Sequence, residues 1–146
     1  MNDDAYKAIY NKALDILSRR EHSKKELTDK LLKKFDVPEL IESVLDSLTK
    51  RNLINDSRYC EAYIVARKRK GFGPKKILYE LISRGVDESI AIQVIDAEGG
   101  WKDAASKAFN KKYKTGLGKD YKEQNKQKAF LQNRGFSFEE IDSVFT

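Results

Sequence analysis

The sequence predicts an all-α protein of three tandem three-helix repeats, arranged as an elongated, curved helical array. The first observation is a recurrence at intervals of 50 residues: Leu31, Leu81 and Leu131 hold equivalent positions in three similar stretches. The second is apolar spacing typical of helices, with only two prolines and eight glycines in 146 residues. Such a period is typical of a small unit stacked several times, which more often presents a binding surface than a catalytic pocket.

The recurrence extends over much of each unit. Further equivalent sets are Ile9/Tyr59/Phe109, Ala13/Tyr63/Tyr113, Lys34/Arg84/Arg134, Ile41/Ala91/Ile141, Val44/Val94/Val144 and Leu45/Ile95/Phe145. We therefore divide the chain into repeat 1 (1–52), repeat 2 (53–99) and repeat 3 (100–146). Because a unit of about 50 residues has only a marginal core, we expect the copies either to support one another or to remain partly independent.

Repeat 1 contains clear signals for the ends of its helices. Its apolar spacing predicts a first helix from about Asp4 to Arg19. Ser23 and Glu26 then form a capping box, in which the serine hydroxyl accepts from a free backbone N–H and the glutamate reaches back. Pro38 suits the first turn of the third helix, where its missing N–H costs nothing.

Repeat 2 shows the same order of signals. Asn55 or Asp56 can cap its first helix. Pro74 opens the second helix, Gly85 stands where a left-handed cap belongs, and Asp87 caps the third helix.

Repeat 3 begins after the Gly99-Gly100 break, with a helix that starts near Trp101. A second helix is predicted from about Tyr121 to Arg134, followed by a glycine cap. Ser137 with Glu140 makes another capping box before the last helix.

The chemistry needed for catalysis is scarce. Cys60 is the single cysteine and lies in an apolar run, so we expect it to be buried. His22 is the single histidine, and no accompanying ligands complete a common zinc set. We therefore expect a non-enzyme without metal or cofactor. The chain lacks an 18-residue apolar run and begins with an acidic segment, which predicts a cytoplasmic protein with no membrane contact.

Positive charge grows along the chain. The net charge is zero over 1–50, +2 over 51–100 and +4 over 101–146. We take the following basic side chains as candidates for polyanion or acidic-protein binding: Arg67, Lys68, Arg69, Lys70, Lys75, Lys76, Lys111, Lys112 and Lys114. A merely solvated basic surface is the alternative. Phe72 and Tyr113 lie beside these clusters, and each either packs in the core or stacks on a base.

Three ordered blocks carry recognisable motifs. They are Ala13-Leu14-x-Ile16-Leu17-Ser18-Arg19-Arg20-Glu21-His22-Ser23-x-x-Glu26-Leu27, then Leu53-Ile54-Asn55-Asp56-x-Arg58-Tyr59-x-x-Ala62-Tyr63 with Arg67, Gly73-Pro74-x-x-Ile77, Leu81 and Gly85, and finally Arg134-Gly135-Phe136-Ser137-Phe138-x-x-Ile141. In these blocks the chain resembles the RecX family of bacterial regulators of the RecA recombinase, over essentially its full length. The chain departs from the family pattern at Lys70-Gly71-Phe72, so the resemblance does not divide its basic residues between RecA and DNA.

The resemblance implies three tandem three-helix repeats and a function without catalysis. RecX proteins bind in the helical groove of the RecA–DNA filament and suppress strand exchange, ATP turnover and coprotease activity, which regulates DNA repair and the SOS response. The implied partner is the RecA filament, with single- or double-stranded DNA as an auxiliary partner. We expect the chain to be a monomer. Arg58 and Arg67 are the motif positions most free to contact a partner. The alternative is a DNA-binding helical protein that acts independently of RecA.

Overall fold

The computed structural model describes residues 2–146, with side chains from residue 3 onward, and within this range it contains nine helices and no strand. The helices are α1 (Asn2–Leu17), α2 (Lys24–Leu32), α3 (Pro38–Lys50), α4 (Asp56–Arg69), α5 (Pro74–Ser83), α6 (Glu88–Glu98), α7 (Trp101–Lys112), α8 (Tyr121–Asn133) and α9 (Phe138–Phe145). The predicted all-α fold of three consecutive three-helix units is confirmed. None of the described helices combines the length and the apolar character that a bilayer crossing requires.

The helix starts follow the capping signals. The capping boxes of Ser23 and Ser137 are both formed. Asn55 caps α4, because its side chain accepts from the backbone N–H of Arg58. Asp56 instead accepts from the backbone N–H of Lys24 at 3.0 Å, a contact between repeats 1 and 2. The first helix ends at Leu17 rather than near Arg19.

The three equivalent leucines Leu31, Leu81 and Leu131 are all fully buried. The buried apolar residues nevertheless form two cores rather than three: repeat 1 has its own, whereas repeats 2 and 3 share one continuous core. Ile54 packs in the core of repeat 1, just past the boundary predicted between repeats 1 and 2.

Two joints connect the repeats, and each pairs a turn of one repeat with a turn of the next. At the first joint, the hydroxyl of Ser23 donates to the carbonyl of Arg84 at 2.8 Å. At the second joint, 50 residues later, the backbone N–H of Gly73 donates to the carbonyl of Arg134 at 2.7 Å. Among the described residues, no hydrogen bond or ion pair links repeat 1 with repeat 3, so the repeats are connected in series.

Two glycines permit this close approach. Gly85 and Gly135 have φ angles of +88° and +99°, in the left-handed region that favours glycine. A Cβ at Gly85 would overlap the side chain of Lys25, and one at Gly135 would overlap Lys76. The predicted left-handed caps therefore also provide the contact points between repeats.

Candidate functional site

The ten candidate basic residues fall into different environments, and three of them are held in ion pairs. The Nε of Arg58 donates to both carboxylate oxygens of Glu21, at 2.8 and 2.9 Å. The guanidinium of Arg67 donates twice to Glu80, at 2.9 and 2.7 Å.

The third ion pair involves Lys68, whose ammonium donates to Glu98 at 2.9 Å and to the carbonyl of Gly99 at 2.8 Å. All three ion pairs connect separate elements: repeat 1 with α4, α4 with α5, and α4 with the end of α6. These cations therefore stabilise the fold, and their charge is largely compensated.

The carboxylate of Glu80 is the centre of the second of these pairs. Burial alone would raise the pKa of Glu80, but hydrogen bonds from Arg67 and from the hydroxyl of Tyr63 outweigh it and hold the pKa below 4.5. Glu80 is therefore ionised near neutral pH and keeps Arg67 paired.

Two basic clusters that are distant in sequence come together at the second joint. A groove of about 250 Å³, which we name the basic groove, is lined by Lys70, Gly71, Ala108, Lys111, Lys112, Phe130 and Arg134. Four of these residues are cationic and none is acidic. A surface of one sign concentrates positive potential and suits a polyanion.

Small residues and aromatic rings build the basic groove. Gly71 has a φ of +94°, and a Cβ there would lie 3.7 Å from the Cβ of Ala108, so the end of α4 runs close to α7. The guanidinium of Arg134 lies over Phe72 at 4.8 Å and over Phe130 at 5.1 Å. These aromatic faces orient the guanidinium through cation–π attraction.

The basic groove continues into a second depression of about 370 Å³ that shares Gly71, Ala108 and Lys111 with it. The continuation adds basic side chains, including that of Arg69, and the carboxylates of Glu98 and Asp103. The positive potential is therefore strongest in the basic groove itself.

The remaining candidates lie elsewhere. Lys75 and Lys76 are exposed at the start of α5 and line a surface with Tyr79 and Gln132 rather than the basic groove. Lys114 is exposed beyond the end of α7.

The two aromatic residues considered for base stacking both pack inside the protein. Phe72 lies beneath the guanidinium of Arg67 at 3.8 Å. The ring of Tyr113 packs against Phe109 at 5.1 Å and Phe130 at 5.6 Å.

A larger groove of about 450 Å³ lies at the first joint, and we name it the tyrosine groove. It is lined by Arg20, Glu21, Tyr59, Ala62, Tyr63, Ala66, Arg67, Lys70, Glu80 and Arg84. Unlike the basic groove, it contains both signs of charge. Lys70 borders both grooves.

His22 and Cys60 are both buried. The Nδ1 of His22 lies 3.0 Å from the carbonyl of Arg20, and its Nε2 lies 2.7 Å from the ammonium of Lys30. Because the ammonium can only donate, Nε2 accepts and Nδ1 donates, which describes a neutral ring. Burial lowers the pKa of His22, and burial raises the pKa of Cys60 to about 11, so the thiol is protonated near neutral pH.

Sequence reasoning did not select Arg84 or Arg134 as site residues, although it aligned them with Lys34 in the repeat. That alignment was the available signal, because both arginines stand at the turns where one repeat meets the next. It also missed Ala62 and Ala66, whose exposure on α4 depends on where the neighbouring turns lie.

Comparison with known families identifies each repeat. Residues 10–48, 55–95 and 102–145 match the first, second and third three-helix domains of RecX, respectively. Each matched range lies within one of the three predicted repeats.

Whole-chain comparisons agree with these matches. The regulatory protein RecX of Pseudomonas fluorescens (strain SBW25) is 37% identical over 144 residues, covering 98% of this chain and 93% of the relative. That of Halorhodospira halophila is 33% identical over 138 residues, covering 94% and 86%. The crystal structure of RecX from Lactobacillus salivarius superimposes with a TM-score of 0.82 at 28% identity, covering 98% of this chain and 96% of that one. The chain therefore belongs to the RecX family of regulatory proteins.

Proposed function

We propose that the chain is a non-catalytic cytoplasmic regulator that binds the RecA filament on DNA and inhibits the recombinase, ATPase and coprotease activities of RecA. In this role it would regulate DNA repair and the SOS response. The observation that carries the proposal is the match of all three repeats to RecX domains, together with relatives named as regulatory proteins. The buried, neutral states of His22 and Cys60 support a role without catalysis.

The basic groove supports contact with the DNA of the filament. Lys70, Lys111 and Lys112 are exposed, and the groove they line with Arg134 contains no carboxylate. Cations in such a groove bind phosphates and release condensed counterions. We propose that these residues bind phosphate, with Arg69 and Lys114 contributing at the margins.

The direct experiment is RecA-catalysed ATP hydrolysis on single-stranded DNA, with this protein titrated in at substoichiometric ratios. The proposal predicts inhibition well below one copy per RecA. Inhibition only at concentrations that coat the DNA would contradict it.

A double charge-reversal variant tests whether the basic groove binds DNA. Lys111→Glu/Lys112→Glu should weaken DNA binding and inhibition while the helical content stays unchanged. Lys33→Glu/Lys34→Glu is the matched control, because these lysines are also exposed, adjacent and at the end of a helix but line neither groove. Equal loss in both variants would show a general charge effect instead.

A second function, DNA binding independent of RecA, is favoured by the single sign of charge in the basic groove. The two functions predict a different salt dependence of binding. Binding through phosphates alone falls steeply with salt concentration, whereas a contact with RecA should persist in part.

A further inference from the structure

The tyrosine groove differs in chemistry from the basic groove, and nothing in the family match assigns it a role. Its floor is one face of α4, where Ala62 and Ala66 stand one helical turn apart and are both exposed. The rings of Tyr59 and Tyr63 stack at 5.8 Å along the same face. Turns and side chains of both repeat 1 and repeat 2 form its walls.

We propose that the tyrosine groove binds an acidic polypeptide segment of the partner protein, which is RecA if the proposed function is correct. The inference rests on that function and adds a division of labour: the tyrosine groove binds protein, and the basic groove binds DNA.

The first argument concerns the class of partner. Glu21 and Glu80 line the tyrosine groove beside its cations. A nucleic acid carries a negative charge on every nucleotide and would meet these carboxylates as well as the cations, whereas the carboxylates of a polypeptide can be spaced to meet the cations alone. Tyrosine and arginine are among the residue types most enriched at the energetic centres of protein interfaces. The exposed alanines leave room for a partner backbone to approach α4 closely. A mixed-charge groove with this lining fits a polypeptide better than a nucleic acid.

The second argument concerns the charge of the partner. The two carboxylates are already used: Glu21 accepts from Arg58, and Glu80 accepts from Arg67 and from the hydroxyl of Tyr63. Arg20 and Arg84 are not paired with either of these carboxylates, and Lys70, which borders both grooves, makes no ion pair within the described residues. The surplus donors select carboxylate side chains on the incoming segment.

The cations at the repeat 1 side of the groove are also only partly satisfied. Arg20 and Arg84 share one carboxylate, that of Glu26, at 3.2 and 3.1 Å. The side chains of these arginines remain 50% and 42% exposed, respectively. Both therefore keep donors available to a second carboxylate.

Tyr59 supplies an independent observation. Its side chain lines the groove and is only 3% exposed, yet its hydroxyl has no hydrogen-bond partner within the described residues. A buried polar group without a partner is costly. Burial raises the pKa of Tyr59 to about 12, so the hydroxyl remains a donor near neutral pH. A partner carboxylate that binds Arg84 beside Glu26 would bring a second acceptor close to this hydroxyl.

The test fills the groove without changing its charge. Ala62→Trp places an indole on the exposed floor, and Ser57→Trp is the matched control because Ser57 is exposed on the same helix but lines neither groove. The probe is the RecA filament assembled on single-stranded DNA, and binding of the labelled protein is measured beside binding to the same DNA without RecA.

We expect Ala62→Trp to weaken binding to the RecA filament by at least about tenfold, as expected for a blocked interface centre. Its affinity for DNA alone should match that of the wild type. Ser57→Trp should bind both the RecA filament and DNA alone with wild-type affinity. A second variant, Tyr59→Phe, removes only the unpaired hydroxyl, so it should keep or raise the melting temperature and still weaken filament binding.

The outcomes separate the two proposals. Wild-type affinity of both Ala62→Trp and Tyr59→Phe for the filament would overturn the assignment of this groove while leaving the proposed function intact. Loss of binding to DNA alone by Ala62→Trp would also overturn it, by assigning the groove to DNA. If the wild-type protein does not bind RecA filaments, the proposed function fails, and the partner named here fails with it.

Discussion

The two joints between repeats lie at equivalent positions of the chain but have different chemistry. In both, the carbonyl of Arg84 or of its equivalent, Arg134, accepts a hydrogen bond from a preceding turn, and a left-handed glycine follows. At the first joint, Glu26 accepts from two arginines. Position 76, its equivalent at the second joint, is a lysine. Both arginines lie over aromatic rings, but Arg134 has no carboxylate partner among the described residues, whereas Arg84 pairs with Glu26.

The cores follow the same division. The first joint is polar and separates two cores, whereas the second lies over a core that repeats 2 and 3 share. Trp101 of repeat 3 even donates to the carbonyl of Ile95 in repeat 2, at 3.1 Å. The turn glycines thus fix the geometry of a joint, while the side chains around it decide whether the repeats are coupled by charge or by apolar packing.

The largest expected effect is a loss of stability in one core that leaves the other core unchanged. Leu81→Ala and Leu31→Ala each remove a fully buried leucine and should cost about 2–5 kcal/mol in the core that contains them. Trp101, the single tryptophan, reports on the shared core through its fluorescence. Leu81→Ala should shift the urea transition that is followed by fluorescence. Leu31→Ala should shift only the part of the circular dichroism transition that comes from repeat 1. A fluorescence shift of equal size in both variants would show that the cores unfold together.

The next effect concerns the ion pairs of the first joint. Glu26→Gln removes the carboxylate that Arg20 and Arg84 share, and its side chain is only 14% exposed. We expect a loss of about 1.5–3 kcal/mol in the stability of repeat 1, in line with hydrogen bonds to charged groups. Hydrogen exchange of α1 and α2 measures it, with α8 as the internal control. Faster exchange in α8 would contradict a local role.

Acid should weaken repeat 1 first. Burial is the main cause that lowers the pKa of His22 below 6.5, so the unfolded chain takes up a proton more readily than the folded one. The stability that neutral His22 allows is therefore complete above about pH 6.5 and falls as the pH drops towards the lowered pKa. Urea titrations at successively lower pH should show this by circular dichroism, whereas Trp101 fluorescence should stay constant because the chain has one histidine.

Glu26 should act at still lower pH. Burial would raise its pKa, but hydrogen bonds from Arg20 and from the backbone N–H of Ser23 lower it more, so the net pKa lies below 4.5. Its contribution is complete above the unfolded value and is lost as the pH falls through the lowered pKa.

The variant His22→Gln separates the two groups. A loss of repeat 1 stability in this variant as large as in the wild type, between pH 6.5 and 4.5, would contradict the assignment to His22.

The smallest effect is expected from a variant that places the carboxylate of the first joint at the equivalent position of the second joint. Lys76→Glu places a carboxylate at the position equivalent to Glu26, where a Cβ on Gly135 would meet the backbone of residue 76. Because residue 76 is exposed, we expect a gain of only about 0.2–1 kcal/mol through Arg134. The urea midpoint of Trp101 fluorescence should rise at low salt and return to the wild-type value at high salt. A salt-independent change would mean altered packing rather than an ion pair.

The architecture and most helix starts could be predicted from the sequence, because local signals determine them. Ser23, Asp87 and Ser137 cap helices through residues three or fewer positions away. The division of the basic residues could not be predicted, because it depends on partners distant in the chain. Arg58 pairs with Glu21, and Lys68 pairs with Glu98.

The same limit applies to the grooves. Lys70 and Lys111 line one groove because the chain turns at Gly71, whose φ of +94° favours glycine, and so places the end of α4 beside Ala108 of α7. The tyrosine groove likewise requires the turn before α2 to stand beside α4, a placement set by the first joint. The spacing of residues along the sequence does not indicate that the segments lining either groove lie close together.

Unfolding of the wild-type protein in urea, followed by both circular dichroism and Trp101 fluorescence, tests the difference between the joints most directly. The titration is made at about 0.05 M and about 1 M salt, since salt screens exposed ion pairs. We predict that part of the helical signal is lost before the fluorescence changes, and that high salt widens this gap by weakening the first joint. A single coincident transition that salt does not separate would contradict the distinction between a polar first joint and an apolar second joint.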